Sequence, residues 1–250
     1  MSRYDFTATR LHVEAPLAID APVEIAADQA NYLLNVLRLG EGAHVLLFNG
    51  RDGEWRAEIT QTRKRAATLR PLERTRMQEK GPDIDLCFAP LKHARLDYLV
   101  QKAVEMGAAR LRPVITRRTQ ASRINLERMR ANVVEAAEQC GVIAVPEVCA
   151  EAPLERVLAQ WPDDRALIFC DEDAAGADPL AVLRAGGWRC PAAVLIGPEG
   201  GFDEAERAAI LRLPNVARIS LGPRILRADT AAVAALAVAQ LAFGDWISGD

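Results

Sequence analysis

The chain has 250 residues, 50% of them hydrophobic, and a formal net charge of −3 at pH 7. This length and apolar content favour a globular protein with one large core or two smaller ones. The slightly negative charge argues against a protein that coats nucleic acid with its whole surface. The longest apolar stretch, residues 231–243, is too short to span a bilayer and predicts a buried helix.

The cysteine and histidine content argues against a disulfide framework and a metal site. The five cysteines are odd in number and no two of them follow a CxxC spacing, while the three histidines are scattered. The first fourteen residues lack the apolar core of a signal peptide. We therefore expect a cytoplasmic protein that works in a reducing compartment without a membrane segment or a metal.

Residues 1–74 have the pattern of a small β-rich domain. Val45–Phe48 is a short apolar run, and Glu54–Ile59 alternates polar with apolar residues as a half-buried strand does. Asp28–Leu39 predicts a short helix, with Gly40 placed where a C-terminal cap belongs. Small β-barrels with one or two such helices are common RNA-binding appendages, and we predict a barrel here.

The pattern changes after a polar, charged linker at residues 75–82. Strands and helices alternate over residues 83–250, which predicts a mostly parallel α/β domain. The predicted strands are Ile84–Ala89, Leu111–Ile115, Ala166–Cys170, Ala192–Ile196 and Ala217–Leu221. The predicted helices are Leu96–Met106, Leu126–Cys140 capped by Asn125, Glu204–Leu213 capped by Asp203, and a last helix that begins at Asp229 or Thr230.

Two glycine-proline loops follow the last two of these strands. We call residues 197–202 (GPEGGF) the first Gly-Pro loop and residues 220–227 (SLGPRILR) the second Gly-Pro loop. Ligands of open α/β sheets bind outside the carboxyl ends of the strands, and glycine allows close approach of the backbone. The first loop lacks the lysine of a phosphate-binding Walker A motif and does not match GxGxxG. This disfavours a nucleoside triphosphate or a dinucleotide and favours a neutral or cationic ligand, with an ordinary helix-capping turn as the alternative.

Polar residues within and beside the loops are candidates for chemistry. Glu199 could meet a cationic ligand or accept a proton, or it could simply be exposed. Arg227 and Asp229 could orient a planar polar substrate, because a guanidinium fork matches paired acceptors. A surface ion pair with a helix cap is the alternative for this pair.

Two stretches of the chain are basic. Residues 61–76 hold five arginines and one lysine against Glu73, and residues 112–130 hold six arginines against Glu127. Both could contact phosphates, or both could be solvated faces.

Six segments together resemble one known family, the bacterial ribosomal RNA small-subunit methyltransferase E family of the SPOUT superfamily. They are Asn35–Leu39, Leu47–Gly50, QKAVEMGA at 101–108, EAAEQCG at 135–141, LIGPEGGF at 195–202 and LGPRILRADTA at 221–231. The resemblance covers nearly the whole chain in order, and the two Gly-Pro motifs are its most specific part.

The resemblance implies an enzyme that uses S-adenosylmethionine to methylate N3 of a uridine in 16S ribosomal RNA. It implies a PUA-like barrel, a SPOUT domain with a C-terminal trefoil knot, and a homodimer that works on the small ribosomal subunit. Two alternatives stay open: a SPOUT methyltransferase that acts on transfer RNA or a ribose 2′-hydroxyl, and a non-catalytic RNA-binding assembly factor.

The resemblance also implies roles for individual residues. Arg227, Asp229 and Glu199 are the catalytic candidates. Ala228 and Asp229 depart from the family, which commonly has threonine and glutamate there, and Val142 replaces a frequent arginine. The expected donor-binding residues are Leu195, Ile196, Gly197, Pro198, Gly200, Gly201, Ser220, Leu221, Gly222, Ile225 and Leu226. The expected RNA contacts are Arg3, Arg10, Arg38, Arg117, Arg118 and Arg123.

Overall fold

The computed structural model divides the chain into two units. The N-terminal unit comprises residues 1–80 and 137–145, and the C-terminal unit comprises residues 81–136 and 146–250. The boundary after Lys80 falls inside the predicted linker, although a strand continues to Arg76. The structure describes residues 8–63, 66–92, 94–120, 124–174 and 176–247.

The N-terminal unit contains a five-stranded sheet with the order β1-β3-β4-β5-β2. The β3–β4 and β4–β5 pairs are antiparallel, and β1 runs parallel to β3. Because β1 and β2 are the outer strands of this order, closure into the predicted barrel stays a prediction. The strands are β1 (Arg10–His12), β2 (Val23–Glu24), β3 (His44–Phe48), β4 (Glu54–Arg63) and β5 (Ala66–Arg76).

One face of this sheet forms the core of the N-terminal unit. Val45 and Leu47 are buried two residues apart on β3, and Ala67 and Leu69 repeat the spacing on β5. Side chains alternate across a strand, so this period of two brings all four to one face. Leu33 packs into the same cluster from the helical segment.

That helical segment differs from the prediction. Helix α1 (Ala27–Asn31) is followed by one π-helical stretch, Tyr32–Val36. The left-handed residue is Arg38, with φ of 56°, rather than Gly40. The Leu39 amide donates to the Leu33 carbonyl at 2.9 Å, six residues back, and this bond closes the π-helical stretch with Arg38 in the left-handed conformation.

The C-terminal unit contains a seven-stranded sheet whose recorded pairs are all parallel. Its order is β12-β10-β11-β6-β7-β8, with β9 paired to β7. The five predicted strands are confirmed, and two strands of two residues each were not predicted. The strands are β6 (Ile84–Phe88), β7 (Arg110–Ile115), β8 (Glu147–Val148), β9 (Ala152–Pro153), β10 (Ala166–Cys170), β11 (Ala192–Ile196) and β12 (Val216–Ile219).

Helices accompany this sheet, and the predicted caps are largely confirmed. Asn125 Oδ1 accepts a hydrogen bond from the Arg128 amide at 3.0 Å. The last helix begins at Ala228 with Arg227 as its N-cap, rather than at Asp229 or Thr230. The helices are α2 (Ala94–Glu105), α3 (Leu126–Cys140), α4 (Leu154–Ala159), α5 (Pro179–Ala185), α6 (Glu204–Ile210) and α7 (Ala228–Phe243), of which α4 and α5 were not predicted.

The central strands of this unit are buried along their whole length. Every residue of β6 and of β11 is buried, as expected for parallel strands that are covered on both faces.

Among the described residues, none of the helices is both long and apolar enough to cross a membrane.

Candidate active site

The two Gly-Pro loops leave the same edge of the sheet. β11 and β12 both pair in parallel with β10, so their carboxyl ends lie on either side of its end. With neighbouring strands about 4.8 Å apart, the two loops start about 10 Å from each other. The structure therefore brings together two segments that are separated in sequence by α6 and β12.

Phe202 anchors the first Gly-Pro loop. Its side chain is buried and meets the ring of Phe169 edge to face, with ring centroids 5.4 Å apart. A Cβ at Gly197 would lie 2.7 Å from the Phe202 ring, so only glycine fits at the start of the loop. Gly201 has φ of 68°, a conformation that favours glycine.

The segment after β7 contacts the first Gly-Pro loop and the start of α6 through Arg117 and Arg118. Arg118 Nη1 donates to the Gly200 carbonyl at 2.6 Å, and Arg117 Nη1 lies 3.0 Å from Asp203 Oδ2. The Arg117 amide also donates to Glu206 Oε1 at 2.8 Å. Arg118 thus holds the loop and Arg117 holds the start of α6, and neither contact depends on the RNA that both arginines were expected to bind.

A capping box joins the end of this loop to α6. Asp203 accepts from the Glu206 amide at 2.7 Å, and Glu206 accepts from the Asp203 amide at 3.0 Å. The Glu206 amide lowers the pKa of the Asp203 carboxyl, with a further contribution from Arg117 that together outweighs desolvation. The cap predicted at Asp203 is confirmed.

The second Gly-Pro loop is much more exposed. Ser220 is buried and Leu221 and Leu226 are half-buried, whereas residues 222–225 are exposed. The Ile225 side chain is fully exposed. A Cβ at Gly222 would meet nothing within 4 Å. This loop presents its backbone and an apolar side chain to the surroundings.

A buried carboxylate ties the ends of these strands together. Asp171 follows β10, is 2% exposed and lies 2.6 Å from Arg218 Nε of β12 and 3.0 Å from Arg207 Nη2 of α6. Its amide donates to the Ile219 carbonyl at 3.0 Å. Asp171 was not among the predicted site residues, although an acidic residue directly after an apolar strand was the available signal.

The three catalytic candidates have different surroundings. Arg227 is exposed at the N-cap of α7, and Asp229 in the first turn accepts a hydrogen bond from the Thr230 amide at 2.9 Å. Glu199 makes an ion pair with Arg95. The structure places Arg227 and Asp229 at one helix start, and it gives Glu199 a cationic partner that the sequence did not suggest.

A cleft adjoins the first Gly-Pro loop. Its volume is about 310 Å³, and its lining residues come from the segments after β6, β7 and β11. Glu199 belongs to the predicted site, and the other lining residues do not. They are Pro90, Leu91, Lys92, Arg95 and Gln120.

The other residues expected to contact RNA differ in their exposure. Arg38 is exposed, as that role requires. Arg10 contradicts the expectation, because its side chain is only 3% exposed and lies 2.9 Å from the Glu54 carboxylate. Arg3 and Arg123 lie outside the described residues.

Comparisons with known proteins agree with this architecture. A family model described as an RNA methyltransferase domain matches residues 78–240, and one described as an RNA methyltransferase PUA domain matches residues 25–72. A ribosomal RNA small subunit methyltransferase E from Synechocystis is 31% identical, covering 92% of this chain and 76% of the relative. The corresponding protein from Rickettsia conorii is 29% identical, covering 93% and 95%.

A solved structure supports the same assignment. The ribosomal RNA small subunit methyltransferase E from Neisseria gonorrhoeae, bound to S-adenosylmethionine, is 28% identical and matches with a TM-score of 0.82. The match covers 96% of this chain and 99% of that one. The methyltransferase model spans more than half of the sequence, and both units have a counterpart. The chain belongs to the ribosomal RNA small subunit methyltransferase E family.

Proposed function

We propose that this protein transfers the methyl group of S-adenosylmethionine to N3 of one uridine in 16S ribosomal RNA, during or after assembly of the small subunit. The observation that carries the proposal is the pair of Gly-Pro loops at neighbouring strand ends, in a chain of this family. The protein would work in the cytoplasm as a homodimer, with the PUA domain and Arg38 holding RNA.

The donor would lie between the two loops. The first loop supplies a fixed backbone wall, because Phe202 and Arg118 hold it in place. The second loop supplies exposed backbone groups and the apolar side chain of Ile225. Neither loop carries a phosphate-gripping lysine, which suits a donor that bears a sulfonium rather than a phosphate. We propose that these loops form the C-terminal trefoil knot.

Methyl transfer requires that N3 of uracil lose its proton. The proton passes to a carboxylate, the N3 electron pair attacks the methyl carbon, and the carbon–sulfur bond breaks to leave S-adenosylhomocysteine. Arg227 would stabilise the negative charge that develops on the uracil oxygens. Asp229 or Glu199 would accept the proton. Asp229 lies two residues from Arg227, whereas Glu199 is paired with Arg95.

The test combines donor binding with methyl transfer by wild type and Arg227→Ala. Titration calorimetry with S-adenosylmethionine should give closely similar affinities for both proteins. Transfer of labelled methyl to small subunits that lack this modification should fall by about 10²- to 10³-fold in the variant, the usual cost of losing one charge-stabilising group. Wild-type turnover by Arg227→Ala would refute the role of Arg227. Failure of the wild-type protein to bind S-adenosylmethionine would refute the proposal that the protein is a methyltransferase.

A further inference from the structure

The cleft beside Glu199 lies on the other side of the first Gly-Pro loop from the second. The strand order places β10 and β12 on one side of β11, and β6 and β7 on its other side. The proposed donor loops follow β11 and β12, whereas the cleft is lined by segments after β6, β7 and β11. The first Gly-Pro loop therefore borders both regions.

The charged side chains that line this cleft are net positive. Lys92 and Arg95 contribute two positive charges against the single negative charge of Glu199. Within the described part of the chain, neither a hydrogen bond nor an ion pair engages the ammonium of Lys92. Arg95 pairs with Glu199, and both side chains stay substantially exposed, at 39% and 48%. Exposed ion pairs of this kind contribute little to stability, so an incoming anion can replace the carboxylate.

The remaining lining suits a nucleobase. Pro90 and Leu91 are buried and contribute apolar surface to the cleft. Gln120 is exposed, and its amide offers one donor group and one acceptor, which can match the edge of a uracil ring. A volume of about 310 Å³ is at the lower end of the range of ligand pockets, about 300 to 1,000 Å³. This size suits one extruded nucleotide rather than a base-paired helix.

We infer that this cleft receives a nucleotide of the RNA substrate that flanks the methyl-accepting uridine, and that Lys92 and Arg95 bind its phosphate. The inference rests on the proposed function and adds the substrate side of the same site. As the phosphate engages Arg95, the guanidinium leaves Glu199, whose carboxylate is then unpaired in the loop that borders the donor. The cleft thus couples RNA binding to the release of one of the two candidate proton acceptors.

The experiment compares full-length wild type with Lys92→Ala, Lys92→Arg and the control Arg212→Ala. Arg212 is exposed just beyond α6, does not line the cleft, and its removal changes the net charge by the same amount. Binding to small subunits that lack the modification is measured by filter retention at several salt concentrations. Donor affinity is measured by calorimetry, and methyl transfer gives kcat and KM.

Lys92→Ala should weaken subunit binding about tenfold, as expected for one charged hydrogen bond, and reduce the salt slope by about one. KM for subunits should rise in parallel, donor affinity should be unchanged, and Lys92→Arg should restore most of the binding. Arg212→Ala should match wild type in affinity and slope.

Wild-type affinity and slope in Lys92→Ala would overturn the inference and leave the proposed function standing. Weaker donor binding with unchanged subunit binding would also overturn it, since the cleft would then hold the donor's own carboxylate. A wild type that neither binds subunits nor transfers methyl would instead refute the proposed function.

Discussion

The two Gly-Pro loops share a sheet edge and a dipeptide but differ in how the protein holds them. The first is fixed by Phe202 in the core and by Arg118 on its outer side. The second exposes residues 222–225, and Ile225 contacts little of the protein. Similar sequence motifs therefore have different physical roles, one as a preformed wall and the other as a surface that a ligand can cover.

We expect substitutions in the two loops to have different effects, on the stability of the fold in one case and on ligand binding in the other. Substitutions at Gly197 and Phe202 in the first Gly-Pro loop should change the free energy of unfolding, because Phe202 is part of the core and Gly197 packs against its ring. Substitutions at the exposed part of the second should change ligand affinity and leave folding alone. Four variants test this division.

Phe202→Ala should have the largest effect. Removal of a buried aromatic ring that packs on Phe169 should lower the free energy of unfolding by about 3 to 5 kcal/mol. Urea unfolding followed by fluorescence and circular dichroism measures the change. A loss below about 1 kcal/mol, no more than an ordinary surface substitution, would show that Phe202 does not anchor the loop.

Gly197→Ala should have the next largest effect. The added Cβ would lie 2.7 Å from the Phe202 ring, and the resulting overpacking should cost about 1 to 3 kcal/mol in unfolding free energy. Gly40→Ala is the matched control, because a Cβ there meets nothing within 4 Å. Equal thermal midpoints for the two variants would contradict the packing that the structure assigns to Gly197.

Ile225→Ala should leave stability within about 0.5 kcal/mol of wild type, since the side chain is fully exposed. If the donor covers this side chain, its loss should weaken S-adenosylmethionine binding by about 1 to 2 kcal/mol. Calorimetry at 25 °C measures the affinity, and unfolding of the unliganded protein provides the control. Unchanged donor affinity would separate the second loop from the donor site.

Acid should weaken the first loop by a small amount. The lowered pKa of Asp203 means that its stabilising effect is complete above its ordinary pKa of 3.8 and is lost as pH falls through the lower value in the folded protein. Asp203→Asn should therefore flatten the fall in unfolding free energy on the acid side of pH 3.8. Parallel acid limbs in wild type and variant would contradict the cap described here.

Local patterns predicted much of the C-terminal unit. Buried parallel strands such as β11 consist of apolar runs, and Asn125 and Asp203 mark their helix starts by side-chain chemistry alone. The two-residue strands β8 and β9 are too short to show any periodicity. The predicted C-terminal end of the helix at Gly40 was wrong. The hydrogen bond from the Leu39 amide to the Leu33 carbonyl, six residues back, puts Arg38 rather than Gly40 in the left-handed region.

Contacts between residues far apart in the sequence limited how much of the site could be predicted. The two Gly-Pro loops could be found because their motif is local, and parallel strands bring their ends to one edge. The Arg95–Glu199 contact joins residues 104 positions apart, and no pattern in either segment indicates it. From the sequence, Arg10 was expected to lie on the surface. In the structure it is buried and pairs with Glu54, which is 44 positions away in the sequence.

The most direct test of the account is nucleoside mass spectrometry of 16S ribosomal RNA from cells with and without this gene. We expect one methyl group on one uridine, carried at N3, to be absent without the gene and restored by the wild-type protein. Purified wild type with S-adenosylmethionine should add the same methyl group to small subunits from the deletion strain. Identical 16S methylation in the two strains, or a lost methyl group on transfer RNA or on a ribose hydroxyl, would contradict the proposed function.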